Sequence, residues 1–518
     1  MTPLIHGDFR RKIKSIDELV KIIGPHPREK SVIMCHGTFD LVHPGHIRHL
    51  VYAKSKADIL IASLTSDEHI KKANYRPYVP EDLRAMNLAA LEVVDYVIVD
   101  KDDIPHRNIA RLQPDIFAKG YEYSSDGIHL NTRKEIEILE TYGGEVIFTP
   151  DDVVYSSSAI IESTPPEIAV EKLLALMEAE GLNFGDIYKT IDALRRVSVH
   201  VVGDTIIDSY THCATIGSST KTPTLSVRYE RQTDFLGGAG IVAKHLRAAG
   251  ANVTFSTVLG DDSWQNFVLE DLAAAEIRVN ALVDPHRPTT NKNVFVANGY
   301  HLLKVDTLDN RPISDKLLGE LADAITSAKE DVVVFSDFRH GIFNKGTIPQ
   351  LSSAIPDGTF RVADSQVASR WGNILEFADF DLITPNEREA RFALADQELG
   401  VRPLALELLQ KARCKTLLLK LGARGIITYR TRQNDQNDLR SFFVLDSFAD
   451  NVVDAVGSGD ALLAYAALSL RATGNEVIAS VLGAIAAAIE CEREGNVPVG
   501  QDDLREKLGR IEKVATYT

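Results

Sequence analysis

Two short strings in this chain combine residue types and spacings that can do chemistry. The first is Gly37-Thr38-Phe39-Asp40-Leu41-Val42-His43-Pro44-Gly45-His46. His43 and His46 stand three positions apart at the start of a helical pattern, so their rings can converge on one point. Free backbone N–H groups at the same helix start favour an anion there. Gly37 and Gly45 leave room for a phosphate chain to approach the backbone. Two imidazoles in that position suit charge that develops on a phosphoryl group during displacement. On spacing alone, a structural pair of histidines accounts for the pattern equally well. The second string is Asp454-Ala455-Val456-Gly457-Ser458-Gly459-Asp460, followed by the apolar helical run Ala461–Leu470. Gly457, Ser458 and Gly459 expose N–H groups at a helix start that can hold a developing phosphoryl charge. Asp460 in the first turn can accept a proton from a substrate hydroxyl. Capping the helix is its plainer role.

The elements that must position these strings have a common logic. Ser31–His36 and Val197–Val202 are apolar strands, each followed by a glycine-bearing turn and later a helix, over 45–56 and after Gly237-Gly238-Ala239-Gly240. Strand patterns recur at 59–64, 96–99, 115–118 and 145–148 in the first half. In the second they recur at 332–336, 360–363, 382–384, 416–420 and 425–429. Alternation of strands and helices predicts an α/β protein with parallel sheets covered on both faces. Such sheets bind ligands beyond the carboxyl ends of their strands, where most of the reactive residues fall. The Pro165-Pro166 step cannot lie inside a helix and marks a boundary. The expected division is a first domain over 1–162, a helical joint over 163–196 and a second domain over 197–518.

Composition sets the outer limits. A chain of 518 residues is expected to hold two or three domains, and 44% apolar with 25% charged residues is ordinary for a globular protein. A net charge of -16 argues against sequence-independent nucleic-acid binding, which needs clustered Lys and Arg. Cys35, Cys213, Cys414 and Cys491 are scattered, without metal-site or disulfide spacing, as expected in a reducing cytosol. The N-terminus lacks the apolar run of a secretory signal. Val477–Ile489 is apolar but short of the roughly 20 residues that cross a bilayer. A cytoplasmic protein without a membrane partner is expected.

The histidine string resembles the GTFDxxHxGH signature of the cytidylyltransferase-like nucleotidyltransferases. The resemblance implies a Rossmann-like domain that transfers NMP from an NTP to a phosphorylated alcohol or sugar and releases pyrophosphate. His43 and His46 then stabilise the pentacoordinate phosphorus, and Gly37, Thr38 and Phe39 lie against the phosphates. Thr65-Ser66-Asp67, Arg76-Pro77, Arg84 and Lys119-Gly120 follow in the family's order, with Lys119 placed to meet the triphosphate or the acceptor phosphate. Ser156-Ser157-Ser158 resembles the family's serine/threonine-rich helix start. Taken singly, Arg84 and Lys119 are of types that more often lie on the surface. Glycerol-phosphate cytidylyltransferases carry an arginine-containing RTEGISTT run. Here Asp152-Val153-Val154-Tyr155 precedes the serines, which favours the sugar-phosphate branch.

The aspartate string resembles the DxxGAGD signature of the ribokinase-like, or PfkB, carbohydrate kinases, with Ser458 for the usual alanine. The resemblance covers about 197–515 and implies a ribokinase-like α/β domain with a small β lid. Asp460 becomes the catalytic base and Gly457–Gly459 the anion hole. Asp208, Gly237 and Gly238 match the sugar-contacting positions. Thr384-Pro385-Asn386-Glu387-Arg388-Glu389 matches TPNxxE, where Asn386 and Glu389 organise hydrated Mg2+. ATP or another NTP is the expected co-substrate, and a monovalent cation is expected near Asp454. Three positions depart from the pattern. Ile241 stands for an asparagine and Val456 for a threonine. Lys420-Leu421-Gly422-Ala423-Arg424-Gly425 carries lysine for the threonine of TxGxxG, with Gly422 retained. Pro223–Tyr229 alternates like a strand, which in related kinases is a lid and often a homodimer contact; a plain edge strand fits as well. Lys221, Lys292, Lys304 and Arg228 are candidates to hold a substrate phosphate.

A kinase makes a sugar phosphate and a nucleotidyltransferase consumes one. The pairing resembles the bifunctional ADP-heptose synthases, which phosphorylate heptose 7-phosphate at C1 and form an NDP-sugar. Those enzymes place the kinase first, and this chain places it second. A CTP-dependent cytidylyltransferase with a divergent kinase half, and a non-catalytic regulatory protein, are the alternatives.

Overall fold

The computed structural model describes residues 9–70, 77–102, 104–120, 130–149, 169–218, 225–366, 373–430 and 441–517. The chain divides into two compact units, 1–168 and 169–518.

In the first unit, β1 (Val32–Gly37), β2 (Ile59–Thr65), β3 (Tyr96–Asp100), β4 (Ile116–Gly120) and β5 (Glu145–Thr149) form one sheet. The order is β3-β2-β1-β4-β5 and every pairing is parallel. Both faces are covered, so β1 is continuously apolar and buried over Val32–Cys35 instead of alternating. Ile33 and Cys35 pack in one core, Val32 and Met34 in the other. The order reverses at β1, whose carboxyl end faces the crevice where such sheets bind ligands. The histidine string begins there. This is the expected Rossmann-like arrangement.

In the second unit the central strands are β6 (Ser198–Gly203), β9 (Asn252–Gly260), β10 (Arg278–Asp284), β13 (Val332–Asp337), β14 (Phe360–Ser365) and β15 (Leu382–Ile383). With β16 (Thr416–Lys420), β17 (Ile426–Arg430) and β18 (Phe442–Leu445) they make a nine-stranded sheet. Its order is β10-β9-β6-β13-β14-β15-β16-β17-β18. The strands are parallel through β16, but β17 pairs antiparallel with both β16 and β18, which departs from the all-parallel expectation. The short Leu421–Gly425 connection is the reason, since a parallel return needs a crossover of a dozen or more residues.

A second sheet, in the order β12-β11-β7-β8, joins β7 (Thr205–Ser218), β8 (Leu225–Gly238), β11 (Thr290–Ala297) and β12 (Tyr300–Thr307). The strand read at Pro223–Tyr229 is the outer end of β8, at the edge of this sheet; its residues 223 and 224 lie outside the described residues. Leu225, Tyr229, Tyr300 and Leu303 on it are exposed.

The helices Ala169–Ala179 and Phe184–Ala193 pack into the second unit through Leu173, Met177, Ile187 and Ile191. The apolar segment near Val477–Ile489 is the helix Glu476–Cys491, which lies in the core against the helix Ser458–Thr473. A helix apolar all round needs such a site. Among the described residues no helix is long and apolar enough to cross a membrane. The four cysteines are free thiols; three are buried and Cys491 is half-buried.

Candidate active sites

In the first unit His43 caps the helix Pro44–Lys54, its Nδ1 accepting the Gly45 N–H at 3.1 Å. That bond leaves the proton of a neutral His43 on Nε2. His46 Nδ1 lies 3.0 Å from the Leu41 carbonyl oxygen, to which it donates, so Nε2 of a neutral His46 is an acceptor. The two rings stack with centroids 3.9 Å apart, and Phe39 lies 5.1 Å from His46. The expected convergence is therefore present. Burial lowers the pKa of both, and that of His46 falls to about 4 with help from His43 and against the Leu41 hydrogen bond.

The fold gives the two glycines a further reason. A Cβ on Gly45 would sit 2.9 Å from His43 Cε1, and one on Gly37 3.3 Å from the Phe39 ring. The site's own rings fill the space that a side chain would need.

Arg84 is fully buried, not on the surface. It donates to the carbonyl oxygens of Thr38 and, at 2.9 Å, Thr65, and to Asp67 at 2.6 Å. It ties the chain just past β1 to the end of β2. Asp40, also buried, accepts N–H groups of Tyr78 and Val79 at 2.9 and 2.8 Å. Lys119 is held by Glu135 and, at 3.1 Å, by Thr132. His49, three residues past His46, bonds Thr149 Oγ1 at 2.9 Å, and burial holds its pKa near 4. The sequence reading missed His49, although its i+3 spacing was a signal. Ser156, Ser157, Ser158 and Arg76 lie outside the described residues.

In the second unit one cleft of about 520 Å³ brings together Asp208, Gly238, Asn386, Glu389, Gly422, Gly457, Ser458, Gly459 and Asp460. Asp460 is in the first turn of the helix Ser458–Thr473, after Gly457 at φ 83°. The first N–H groups of that helix have no intrahelical carbonyl to meet. Asp460 does not cap the helix with its side chain: Oδ1 is buried without a hydrogen-bond partner among the described residues. Burial, then the neighbouring Asp364, raises its pKa well above the carboxylate range, and Lys420 opposes them. Lys420 Nζ is 3.1 and 3.2 Å from the Asp364 oxygens. Burial disfavours its charge, but Asp364, Glu389 and Asp460 outweigh that and raise its pKa.

Asp208 lies on β7 and accepts Asn496 Nδ2 at 2.8 Å; burial raises its pKa against the nearby Lys292. Gly237 is required beside it, because a Cβ there would fall 2.0 Å from Asp208 Oδ2. Lys292 and Lys304 line the same cleft; Arg228 is exposed and pairs with Glu230, and Lys221 lies outside the described residues. Ile241 is wholly buried in the helix Ala239–Ala248, so the amide that meets Asp208 is that of Asn496. No motif marked Asn496.

Asn386 and Glu389 form a reciprocal capping box at 2.9 and 2.7 Å. They offer an amide oxygen and a buried carboxylate to the cleft, hard donors that fit magnesium when its remaining positions are water and phosphate oxygen. Among the described residues no three His, Cys, Asp or Glu side chains cluster as a metal cage. Glu490 and Asn496 also carry buried oxygens without partners among the described residues, and burial pushes Glu490 up to about 8.

With this geometry in hand the class is clear. The chain belongs to the pfkB family of carbohydrate kinases, which it matches over residues 197–499. Residues 34–163 match the cytidylyltransferase-like family. The chain is similar to the Bifunctional protein HldE of several bacteria. It is 30% identical to that of Acidiphilium cryptum over 345 residues, 64% of this chain and 68% of the relative. It is 38% identical to that of Pelobacter propionicus over 146 residues, 28% of this chain, and 28% identical to that of a Bradyrhizobium strain over 324 residues, 61% of this chain. These two matches span 29% and 64% of the relatives' own length. Among solved structures, phosphofructokinase-2 from Escherichia coli in complex with substrates and products has the same fold. It is 16% identical with a TM-score of 0.51, covering 61% of this chain and 100% of that one.

Proposed function

We propose that the chain is a bifunctional sugar-activating enzyme. Its second unit phosphorylates a sugar phosphate of the heptose 7-phosphate type at C1 with ATP. Its first unit transfers NMP, with ATP the favoured donor, to a sugar 1-phosphate. The observation that carries the kinase half is the unpartnered Asp460 oxygen, buried in the cleft beside helix-start N–H groups.

Asp208 and Asn496 orient the sugar hydroxyls, and Lys292 with Lys304 holds the substrate's own phosphate. Asp460 takes the proton of the attacking hydroxyl. The N–H groups of Gly457–Gly459 meet the charge that develops on the transferred phosphoryl. Asn386 and Glu389 hold hydrated magnesium, which when bound offsets the charge of the ATP phosphates. Asp454, with the Glu490 and Asn496 oxygens, would hold a monovalent cation. Phosphofructokinase-2 from Escherichia coli has been solved in complex with potassium.

In the first unit His43 Nε2–H donates to an oxygen of the reacting phosphorus. The arriving triphosphate raises the proton affinity of His46, so that it becomes a second donor. Thr38 bonds the phosphates, and Lys119 shifts its ion pair towards them. The Ser156–Ser158 run supplies a further anion contact. Each site lies within its own unit, so placing the transferase first alters neither chemistry. The exposed apolar edge of the lid, around Leu225 and Tyr229, supports a homodimer through it.

The test is a panel of sugars and sugar phosphates with ATP or CTP. Labelled-phosphate transfer reads the kinase and pyrophosphate release reads the transferase. ATP-dependent phosphorylation of heptose 7-phosphate and pyrophosphate release from ATP with heptose 1-phosphate are expected. Pyrophosphate release only with CTP and a different polyol phosphate contradicts the reading.

A further inference from the structure

Lys420 stands where the resembling kinases carry threonine, and its surroundings point to a use. The residue ends β16, and its backbone N–H donates to the Pro385 carbonyl at 2.9 Å, beside the turn that carries Asn386 and Glu389. Its ammonium lines the cleft and is only 15% exposed. Asp364 anchors it from one side and is itself held by the Thr384 hydroxyl at 3.0 Å. On another side it abuts the anion-hole backbone: a Cβ on Gly459 would lie 3.2 Å from Lys420 Nζ. The fixed cation thus sits between Asp364 and the loop that receives phosphoryl charge.

We propose that Lys420 is a further catalytic residue of the kinase site, whose ammonium contacts the γ-phosphoryl group of ATP as it is transferred. This inference rests on the kinase reading above. In the step, the substrate hydroxyl oxygen bonds to the γ-phosphorus and the bond from that phosphorus to the β-bridging oxygen breaks. ADP leaves with the electron pair, and the hydroxyl proton passes to Asp460. Lys420 keeps its proton and follows the charge. Asp364 is the positioning residue that aims it. An ammonium meeting an anionic oxygen in a water-poor cleft makes one of the stronger hydrogen bonds available to a protein.

The test compares binding of ADP and of the β,γ-imido analogue of ATP, with magnesium, to the full-length protein. In Lys420→Met the imido analogue should weaken by about 10-fold or more while ADP changes by less than about threefold, since only the former carries the group touched. The kcat for heptose 7-phosphate should fall about 100-fold or more with the sugar KM little changed. Lys420→Arg should recover part of the imido-analogue affinity. Pyrophosphate-releasing activity of the same preparation reports that the chain is intact. Should Lys420→Met not fold, acetic anhydride labelling of the wild type decides. Protection of Lys420 by the imido analogue and not by ADP supports the proposal, and equal protection by both overturns it. Equal loss of both nucleotides in Lys420→Met, or loss of neither, also overturns it and marks a structural ion pair. A wild type that binds neither nucleotide overturns the kinase reading itself.

Discussion

The replacement Gly237→Ala tests how tightly the sugar end of the kinase cleft is built. An added Cβ would lie 2.0 Å from Asp208 Oδ2 and 3.0 Å from Asn496 Nδ2. Ordinary contact needs about 3.4 Å, so the carboxylate must move by more than about 1 Å. It cannot move freely, because the 2.8 Å bond from Asn496 would be lost. A hydrogen bond to a charged group is worth about 1.5–3 kcal/mol. A 1 Å misplacement costs about 100-fold in rate, or about 2.7 kcal/mol, and the two routes agree. The assay is steady-state phosphorylation of heptose 7-phosphate, with imido-ATP binding and pyrophosphate release as controls. A loss of about 100-fold in kcat/KM with both controls unchanged is expected. A variant within threefold of wild type would refute the argument that Asp208 must hold its observed position.

Three further outcomes follow from the same geometry. Arg84→Met should destabilise the first unit by about 3–5 kcal/mol, since it leaves Asp67 and two carbonyls without their buried partner; denaturant unfolding measures it, and transferase activity should fall while kinase activity persists. His46 and His49 have folded pKa values lowered to about 4 from 6.5, so their stabilisation is full above 6.5 and is lost as pH falls towards 4. At pH 5 this amounts to about 2 kcal/mol for each, read as a drop in the unfolding midpoint that His49→Gln reduces. Joint Leu225→Glu and Tyr229→Glu replacement should convert a dimer to a monomer in sedimentation without altering nucleotide binding, because both side chains lie on the exposed edge of the lid.

The five strands of the first sheet and six of the nine in the large second sheet were legible because a doubly covered sheet demands continuous Val, Ile and Leu, as in β13 with all six residues buried, whereas β9, β10 and β18 were not read. Strand direction was not: Ile426–Arg430 reads the same whether parallel or antiparallel, and only the brevity of the preceding turn distinguishes them. The long lid strands were mostly invisible because β8 is half-exposed and polar over much of its length. Asp208, Gly457 and Asp460 converge as their strings implied. Asn496 and Asp364 were not foreseeable, since their meaning lies in contacts with Asp208 and Lys420 across 288 and 56 positions. For Arg84, residue type alone speaks for the surface and only its place in the ordered series spoke for a role; three acceptors hold it inside.

The most direct measurement follows both reactions by phosphorus NMR in the wild type, Asp460→Asn and His46→Ala. One arm supplies ATP with heptose 7-phosphate and the other ATP with heptose 1-phosphate. The wild type should form a sugar bisphosphate in the first arm and an NDP-sugar with pyrophosphate in the second. Asp460→Asn should lose only the first product and His46→Ala only the second. Absence of either product from the wild type, or loss of both together in one variant, would contradict the claim that this chain holds two independent active sites.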